Sequence, residues 1–472
     1  MIDILGKLRE QNADRIAYKS ESDFITYADL AERAVRFASL LQKQGTEPVI
    51  VYGHKSVDMV ISIIACLTAH RAYIPIDIFT PAARIKNIIS QTGATLIIAN
   101  EVLAFECDID TSSLEALNIY KGCKEKNCGG NDTAYIIFTS GSTGVPKGVP
   151  ISYSNLENFI RWISSLSPLC EYEGACVLNQ ASFSFDLSVA DLYYSLYGGH
   201  TLVGLSRKTQ DNPTGLFNAI MENNITVTVT TPTFMKMCLL NDEFDALHCP
   251  SLRCMYFCGE VLEVKTVQRI FNAFPNIKII NAYGPTEATS AIAVTLIDRS
   301  MLEDGGTLPV GRLSCAAGEI ELADGEIILK GKSVFSGYLD GNPGGFYTEG
   351  KVNCYRTGDR GFTVGDYLYF TGRMDDQIKY KGYRIELGDI ESSILRIKGI
   401  TSCAVVAKFN ESRAVKTLKA FVVLEGELDE AYVREELKRL IPAYMIPKTI
   451  KKVDRLPMNQ NGKIDRKKLC EL

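Results

Sequence analysis

Residues 134–152 read AYIIFTSGSTGVPKGVPIS, an apolar segment followed by a loop rich in glycine, serine and threonine. The segment before the loop predicts a buried strand, and the segment after it is also typical of a strand. Backbone amides, hydroxyls and the Lys147 ammonium in one turn are groups that bind phosphate. The alternative is an ordinary surface loop built from turn residues. The composition favours a phosphate-binding loop between two extended segments.

The spacing within this loop argues against the P-loop pattern of Gly-x4-Gly-Lys-Ser/Thr. Gly141 and Gly144 lie three residues apart, and Lys147 is followed by Gly148 in place of a magnesium-binding serine or threonine. Pro146 also lacks the backbone amide that a P-loop uses at this point. We therefore predict a different kind of phosphate loop.

The composition of the 472 residues limits the function further. A net charge of -5 argues against a general nucleic-acid binder. The 14 cysteines are scattered and contain no Cys-x2-Cys pair, which argues against a zinc site or a disulfide framework. The N-terminus is typical of an amphipathic helix and unlike a signal peptide, and the longest apolar run, MVISIIACLTA, is too short to span a bilayer. We expect a soluble cytoplasmic protein without membrane insertion.

Strand-like and helix-like segments alternate from about residue 49 to residue 284, which predicts an α/β fold with parallel sheets. From about residue 305, short strands around Gly and Asp turns predict a small antiparallel β section. After the polar segment GRMDDQ a separate α+β unit begins. We predict a large N-terminal domain over residues 1–374 and a small C-terminal domain over residues 375–472.

Nine motifs, including the opening loop, follow one another in a fixed order between residues 25 and 469. They are ITYADL, AYIPID, FTSGSTGVPKG, FSFDLS, NAYGPTE, YRTGDRG, GRMDDQIKYKGYRIELGDIE, LIPAYMIP and NGKIDRKKL. Together they resemble the core motifs of the adenylate-forming enzymes, which include acyl-CoA synthetases, luciferases and adenylation domains of nonribosomal peptide synthetases. Within this family, LNQASFSFDLSVADLY, TPTFMKMCLL, FCGEVL and YGPTEAT are most similar to ligases that load D-alanine onto a carrier protein.

The resemblance implies a reaction in two steps. A carboxylate attacks the α-phosphate of ATP and releases pyrophosphate, with Mg2+ as cofactor. The acyl-adenylate is then captured by the phosphopantetheine thiol of a carrier protein, after the small C-terminal domain has rotated. The implied partners are a small amino acid and the carrier protein, and the enzyme is expected to be a monomer.

Three other functions remain as alternatives. The chain could be an adenylation domain of a nonribosomal peptide synthetase with a different amino acid as substrate. A non-catalytic ATP sensor is disfavoured by the presence of Lys463, Asp359 and Glu287. Acyl-CoA synthesis is disfavoured because Asp186, in FDLS, suits an amino-acid substrate.

By resemblance, the ATP-binding residues come from several of these motifs. The glycine-rich loop would neutralise charge on the leaving pyrophosphate. Tyr283 would stack on adenine, Asp359 would accept the ribose hydroxyls, and catalytic Lys463 would lie between the substrate carboxylate and the α-phosphate. The predicted ATP-binding set is Thr139, Ser140, Gly141, Ser142, Thr143, Gly144, Lys147, Asn281, Ala282, Tyr283, Gly284, Pro285, Thr286, Asp359, Phe370, Thr371, Gly372, Arg373 and Lys463.

Two further roles follow from the same resemblance. Glu287 would hold magnesium, which prefers one or two carboxylates together with phosphate oxygens. Asp375 lies at the expected hinge between the domains. On residue type alone, Glu287 is a surface residue after a Gly-Pro turn, Asp359 a turn aspartate and Lys463 a surface lysine.

The resemblance also predicts a substrate pocket. Asp186 would be the counter-ion of the α-ammonium, although an aspartate here could also cap a helix. Cys258 would face the substrate and select the D-enantiomer, or could be an ordinary core cysteine. The D-alanine ligases usually read DLSVMDLY and NTYGPTEATVAV, whereas this chain has Ala190, Ala282 and Ser290 at the differing positions. We predict a roomier, more polar pocket, which suits D-alanine, D-serine or another small amino acid.

Overall fold

A computed structural model of the chain describes residues 3–103, 110–112, 132–141, 144–303, 306–410, 415–424, 426–427, 429–458 and 464–471. The strands are β1 Ile16–Lys19, β2 Phe24–Thr26, β3 Val49–Tyr52, β4 Tyr73–Ile76, β5 Leu96–Ala99, β6 Asp110–Ser112, β7 Thr133–Thr139, β8 Lys147–Ser152, β9 Cys176–Asn179, β10 Thr201–Gly204, β11 Val227–Thr230, β12 Cys254–Phe257, β13 Lys278–Tyr283, β14 Ala293–Ile297, β15 Gly311–Arg312, β16 Ser314–Cys315, β17 Gly318–Ala323, β18 Glu326–Lys330, β19 Phe346–Glu349, β20 Val352–Val364, β21 Tyr367–Arg373, β22 Gln377–Tyr380, β23 Tyr383–Glu386, β24 Ile400–Phe409, β25 Val415–Leu424 and β26 Thr449–Lys452. The α-helices are α1 Ile4–Glu10, α2 Tyr27–Leu41, α3 Val57–Thr68, α4 Ala82–Thr92, α5 Tyr153–Ser165, α6 Leu187–Gly198, α7 Arg207–Gln210, α8 Pro213–Glu222, α9 Pro232–Cys238, α10 Val264–Ala273, α11 Leu387–Ile394, α12 Glu430–Leu440 and α13 Arg466–Glu471.

Two mostly parallel sheets form the larger part of the fold. One has the strand order β14-β13-β12-β11-β9-β10-β1-β2 and is antiparallel only at its two ends. The other has the order β6-β5-β3-β4-β7-β8 and is antiparallel only at the β7–β8 hairpin. A third sheet, β15-β21-β20-β18-β17-β16 with β19 beside β20, is antiparallel. The sequence prediction of parallel α/β sheets with an antiparallel section is confirmed.

The largest hydrophobic core joins the two parallel sheets through the helices between them. Helix α3 is apolar on all sides, and almost every residue of it is buried. A helix without a polar face is stable only when it is covered on all sides. Val49 of one sheet and Val177 of the other belong to the same buried cluster as α3.

The carboxyl ends of the parallel strands bring several predicted site residues to one edge. Strands β9, β11, β12 and β13 are consecutive neighbours in the first sheet and run in the same direction. The segments that follow three of them carry Asp186, Cys258 and Glu287. In α/β sheets, ligands bind at this edge.

The C-terminal unit, defined here as residues 377–471, contains a three-stranded sheet, β24-β25-β26, with a separate core on each face. Because side chains alternate along a strand, Cys403 and Val405 face one core and Ala404 faces the other. The β22–β23 hairpin packs into the first core through Ile378 and Ile385.

The second core contains the chain that follows the predicted catalytic lysine. Ile464 packs against it and forms an isolated β-bridge with Met458. Ile464, the residue after Lys463 in the sequence, therefore lies on the face of the sheet opposite the hairpin. Lys463 itself lies outside the described residues.

The connection between the antiparallel sheet and the C-terminal unit is short. Strand β21 ends at Arg373 and β22 begins at Gln377, so the predicted boundary at residues 374–375 falls between them. The exact division into domains stays a prediction. No helix among the described residues is long and apolar enough to cross a membrane.

Replacing Asp375 with proline is expected to slow thioester formation by tenfold or more and to change pyrophosphate exchange little. Proline fixes φ near -65° and so restricts rotation about this connection. A slowing of about tenfold is the order of magnitude expected for a step that needs this rotation. The two half-reactions are measured separately under single-turnover conditions. Asp375→Ala is the control, because it removes the carboxylate without fixing the backbone. Unchanged thioester formation in Asp375→Pro would show that the pivot lies elsewhere.

Candidate functional site

A cleft lies where the β22–β23 hairpin meets the carboxyl edge of the first parallel sheet. It is lined by residues from both parts of the chain, including Asp186, Cys258 and Thr286 from the large part and Lys379 and Arg384 from the hairpin. The cleft therefore brings together segments that are far apart in the sequence.

The residues predicted to bind adenosine form a connected chain of hydrogen bonds. The Tyr283 hydroxyl donates to Asp359 Oδ2 at 2.6 Å, and Arg373 Nη1 donates to Asp359 Oδ1 at 2.6 Å. Arg373 also donates from Nε and Nη2 to the two carboxylate oxygens of Asp375, each at 2.6 Å. The predicted hinge residue is thus connected to the predicted ribose ligand by one guanidinium. Such paired, charge-assisted bonds fix geometry as well as contributing energy.

The other predicted nucleotide contacts differ in their access to the cleft. Gly284, Pro285 and Thr286 line it, and the Phe370 ring lies 6.4 Å from the Tyr283 ring, centroid to centroid. The remaining ones are placed in strands: Asn281 and Ala282 are buried in β13, and Thr371 and Gly372 lie in β21.

The Asn281 side chain makes a hydrogen bond inside the large part of the chain. Its side-chain amide donates to the Pro309 carbonyl at 2.9 Å. This contact holds the end of β13, which includes Tyr283, in place. The Asn281 side chain is buried and, among the described residues, is absent from the cleft lining.

The predicted phosphate loop begins at the tip of the β7–β8 hairpin. A Cβ on Gly141 would lie 2.0 Å from the Val145 carbonyl oxygen, so only glycine fits the turn. Gly144 adopts φ +78°, and its amide donates to the Gly141 carbonyl at 3.0 Å. The Lys147 Nζ atom lies 5.8 Å from the centroid of the Tyr338 ring.

Strand β23 of the C-terminal unit contacts the start of this loop. The Ser140 hydroxyl donates to the Arg384 carbonyl and accepts from the Glu386 amide, both at 2.9 Å. Thr139 also lines the cleft, whereas Ser142 and Thr143 lie outside the described residues. In this conformation, a strand of the C-terminal unit therefore occupies hydrogen-bonding groups that were predicted to bind phosphate.

Glu287, the predicted magnesium ligand, has no exposed surface. Its Oε1 accepts from Tyr338 at 2.5 Å and from Tyr355 at 3.1 Å, and its Oε2 accepts from Arg384 Nη1 at 2.5 Å. Burial favours the neutral acid, but the Arg384 charge and the hydrogen bonds outweigh it and lower the pKa of Glu287. An ionised, buried carboxylate suits Mg2+. In this conformation, however, Oε1 accepts from the two tyrosines and Oε2 is paired with Arg384.

Asp186 directs its carboxylate toward the cleft. It immediately precedes α6, but among the described residues its side chain makes no capping hydrogen bond. Instead, Thr286 Oγ1 donates to Asp186 Oδ2 at 2.6 Å. Burial raises the pKa of Asp186, while Thr286 and the charge of Lys379 oppose that shift. A carboxylate in this environment would gain from pairing with a substrate ammonium.

Cys258 and Ser290 lie beside each other in the cleft lining. The Cys258 Sγ is 3.9 Å from the Ser290 carbonyl oxygen, and burial raises the pKa of the thiol to about 11. Cys258 is therefore a neutral wall of the cleft and is unsuited to act as a nucleophile near neutral pH. The Ser290 hydroxyl is buried and has no hydrogen-bond partner among the described residues.

Ala190 and Ala282 are absent from the part of the cleft lining that the structure describes. Both belong to the core cluster that joins the parallel sheets, and Ala190 has no exposed surface. Ala190 lies one turn into α6, where every residue from Leu187 to Leu196 is buried. Their contribution to the substrate pocket stays a prediction.

Several cleft residues were not predicted individually from the sequence. Arg384, Lys379 and Gln377 come from the hairpin, in the part of the motif GRMDDQIKYKGYRIELGDIE after Asp375, to which the sequence analysis gives no role. Lys379 Nζ lies 5.7 Å from the centroid of the Tyr283 ring. The concentration of basic and aromatic residues in QIKYKGYRIE is the sequence feature that could have indicated a contribution to the cleft.

Two aromatic residues complete the wall nearest the hairpin. The Phe185 ring meets Tyr383 edge-on at 4.4 Å, and Tyr383 stacks on Tyr444 at 3.6 Å, centroid to centroid. Phe185 and Tyr444 line the cleft. These contacts add an apolar component to the docking of the hairpin.

Comparisons with known proteins agree with this architecture. The family model "AMP-binding enzyme" matches residues 7–339, and "AMP-binding enzyme C-terminal domain" matches residues 389–463. A D-alanine--D-alanyl carrier protein ligase of Bacillus licheniformis is 35% identical, covering 100% of this chain and 99% of the relative. One of Listeria monocytogenes is 37% identical, covering 99% and 98%. The Vibrio cholerae adenylation domain AlmE, solved with glycyl-adenosine-5'-phosphate, shares the fold with a TM-score of 0.83 at 24% identity, covering 99% of this chain and 97% of that one.

Asp186→Asn is expected to raise the KM of an amino-acid substrate by about 30-fold or more, because a buried charge pair is worth roughly 2 kcal/mol or more. In the wild type, KM should rise as the pH falls through the raised pKa of Asp186, since protonation removes the counter-ion. This rise should begin at a higher pH than an ordinary aspartate would give. The measurement is pyrophosphate exchange across pH, with the KM of ATP as internal control. A pH-independent KM in the wild type would contradict this role.

Arg384→Gln is expected to slow transfer to a thiol by about a hundredfold and to leave pyrophosphate exchange within a few-fold of wild type. Removing the guanidinium leaves Glu287 buried without a cation when the hairpin is docked, which costs about 3–5 kcal/mol. Transfer from preformed adenylate is measured by rapid quench. Arg356→Gln, on β20, is the matched control because Arg356 pairs with Glu326 outside the cleft lining. Equal loss in both half-reactions would refute a role limited to the docked hairpin.

Proposed function

Because the chain belongs to the family of AMP-binding enzymes, we propose that it activates a small amino acid with ATP and transfers it to the phosphopantetheine thiol of a carrier protein. The observation that carries this proposal is the Asp186 carboxylate, which lies in the same cleft as Asp359 and Arg373. An amino acid held by its ammonium at Asp186 can present its carboxylate to a nucleotide held at Asp359.

D-alanine is the leading candidate for the amino acid. The two relatives cited above carry the name D-alanine--D-alanyl carrier protein ligase and match over nearly the whole length of both chains. Cys258 and Ser290, which line the same cleft as Asp186, are small residues, and this suits a methyl or hydroxymethyl side chain. Ser290 adds a polar group to this wall, and it supports D-serine as the second candidate.

In the first step, the chain's own residues hold the reactants and stabilise charge. Asp186 binds the ammonium, Tyr283 and Asp359 bind adenosine, and the loop from Thr139 to Lys147 binds the phosphates that leave as pyrophosphate. Lys463 stabilises the charge that develops between the substrate carboxylate and the α-phosphate. Glu287 would hold Mg2+, which would offset charge on the phosphates.

In the second step, the hairpin replaces the groups that served the first. Ser140 and Glu287 are engaged by β23 in this conformation, so pyrophosphate must depart before the hairpin can dock. Ile464, the residue after Lys463 in the sequence, packs on the face of the C-terminal sheet opposite the hairpin. On this proposal, the C-terminal unit rotates between the steps, so that the Ile464 side of the sheet serves the first step and the hairpin, docked as described here, serves thiol transfer.

The cytoplasm is the compartment that suits this reaction, because it supplies ATP. The direct test of the function is pyrophosphate exchange with purified protein against a panel of D- and L-amino acids. D-alanine should give the highest kcat/KM, with D-serine next. Exchange with no small amino acid, or exchange only with fatty or aryl acids, would overturn the proposal.

Lys463→Ala is expected to abolish adenylate formation, with a loss of about a thousandfold, and to leave transfer from a preformed adenylate nearly unchanged. The ammonium acts on charge at the α-phosphate, which develops only in the first step. Lys467→Ala is the matched control, since it removes a neighbouring lysine. The two half-reactions are assayed separately. A comparable loss in both would show that Lys463 has another role.

Ser290→Val is expected to raise the ratio of kcat/KM for D-alanine over D-serine by about tenfold to a few hundredfold. Valine has two methyl groups in place of the single hydroxyl, so it removes a hydrogen-bonding group and fills space beside Cys258, and differences of this size are usual for one or two such contacts. Ala190→Val is the control, because Ala190 is absent from the cleft lining that the structure describes. An unchanged ratio in Ser290→Val would remove Ser290 from the pocket that reads the side chain.

A further inference from the structure

The loop after β12 contains a carboxylate that joins the large part of the chain to the C-terminal unit. Glu260 Oε1 accepts from the Gly382 backbone amide at 2.7 Å. Its Oε2 accepts from the Thr233 backbone amide at 2.9 Å. Each oxygen of one carboxylate thus holds a backbone amide, one at the start of α9 and one at the tip of the β22–β23 hairpin.

The hairpin tip fits closely against the end of β11. Gly382 adopts φ +82°, and a Cβ at this position would lie 2.6 Å from Thr231 Cγ2. The preceding residue, Lys381, also adopts positive φ, at +54°. This sharp turn exposes the Gly382 amide at its end, where Glu260 accepts it. The contact therefore depends on a backbone shape that exists only at the tip.

A second contact from the same loop supports the same docking. Glu263 Oε1 accepts from the Asn410 side-chain amide at 2.9 Å and pairs with Lys236 at 2.9 Å. The loop thus contacts the C-terminal unit at two separated points. Of these two contacts, only that of Glu260 reaches the hairpin whose residues line the cleft.

We propose that Glu260 is a positioning residue for the thiol-transfer step, which holds the hairpin tip and so places Lys379 and Arg384 in the cleft. This inference rests on the proposed two-step function. Hydrogen bonds to an ionised carboxylate are about twice as strong as neutral ones. Glu260 is not itself part of the cleft lining, so it acts through the hairpin.

A purely structural role would be limited to the start of α9. Glu260 accepts from an amide in the first turn of that helix, and a cap of this kind stabilises the fold in both reaction steps. The two roles differ in what a substitution does. A cap alone lowers thermal stability and affects both half-reactions alike, whereas a docking contact affects the step that uses the docked hairpin.

The test compares Glu260→Ala and Glu260→Gln with Glu243→Gln, which removes an exposed carboxylate from the same part of the chain. In Glu260→Ala, transfer from preformed aminoacyl-adenylate to the carrier protein should fall by about ten- to a hundredfold, and pyrophosphate exchange should stay within twofold. Glu260→Gln retains one acceptor and should be intermediate. An equal fall in both half-reactions, or unchanged transfer in Glu260→Ala, would overturn the proposal.

Hydrogen exchange on the full-length protein provides a readout independent of catalysis. In the wild type, the amides of residues 377–386 should be protected, and Glu260→Ala should exchange them about tenfold faster while leaving β7 and β12 unchanged. If hairpin exchange is unaltered, Glu260 does not hold the tip. Because this measurement needs no substrate, it separates failure of the docking contact from failure of the proposed reaction, which pyrophosphate exchange reports.

Discussion

The arrangement of the cleft depends on a carboxylate that water cannot reach. Glu287 has no exposed surface, and its ionised form is stable there only with a cation beside it. Tyr338 and Tyr355 donate to one of its oxygens, but neutral hydroxyls do not balance a charge. The other oxygen is paired with Arg384, a residue of the C-terminal unit. The charge balance at the centre of the large part of the chain is therefore completed from outside it.

This requirement couples the charge at Glu287 to the position of the C-terminal unit. In the proposed two-step reaction, the hairpin would withdraw for the first step, and Mg2+ would then take the place of Arg384 as the cation beside Glu287. The Ser140 hydroxyl, which bonds with β23 in the docked state, would then be available to a phosphate. On this proposal, pyrophosphate release precedes hairpin docking because both use the same groups.

The sequence predicted the local architecture well and the assembly of the cleft only in part. Apolar runs between helices predict parallel strands because burial on both faces leaves no room for polar alternation. In contrast, Arg384 lies 97 residues from Glu287, and Glu386 lies 246 residues from Ser140. The spacing of apolar and polar residues along the sequence does not indicate contacts between residues so far apart. Spacing is equally uninformative for Ala190: its helix is buried on every side, so its distance in sequence from Asp186 does not indicate which side chains reach the cleft.

The turn that follows β13 contacts both the predicted ammonium ligand and the hairpin arginine. Within five residues, Thr286 donates to Asp186, Glu287 pairs with Arg384 and Ser290 lines the cleft. Thr289 and Ser290 adopt φ +57° and +73°, a conformation that costs about 1–3 kcal/mol for each non-glycine residue. The Thr289 hydroxyl, which donates to the Ser333 carbonyl at 2.7 Å, helps to hold this strained turn. Because Glu287 and Ser290 lie in the same short turn, a substitution at Ser290 that disturbs this backbone is expected to disturb the Glu287–Arg384 pair as well.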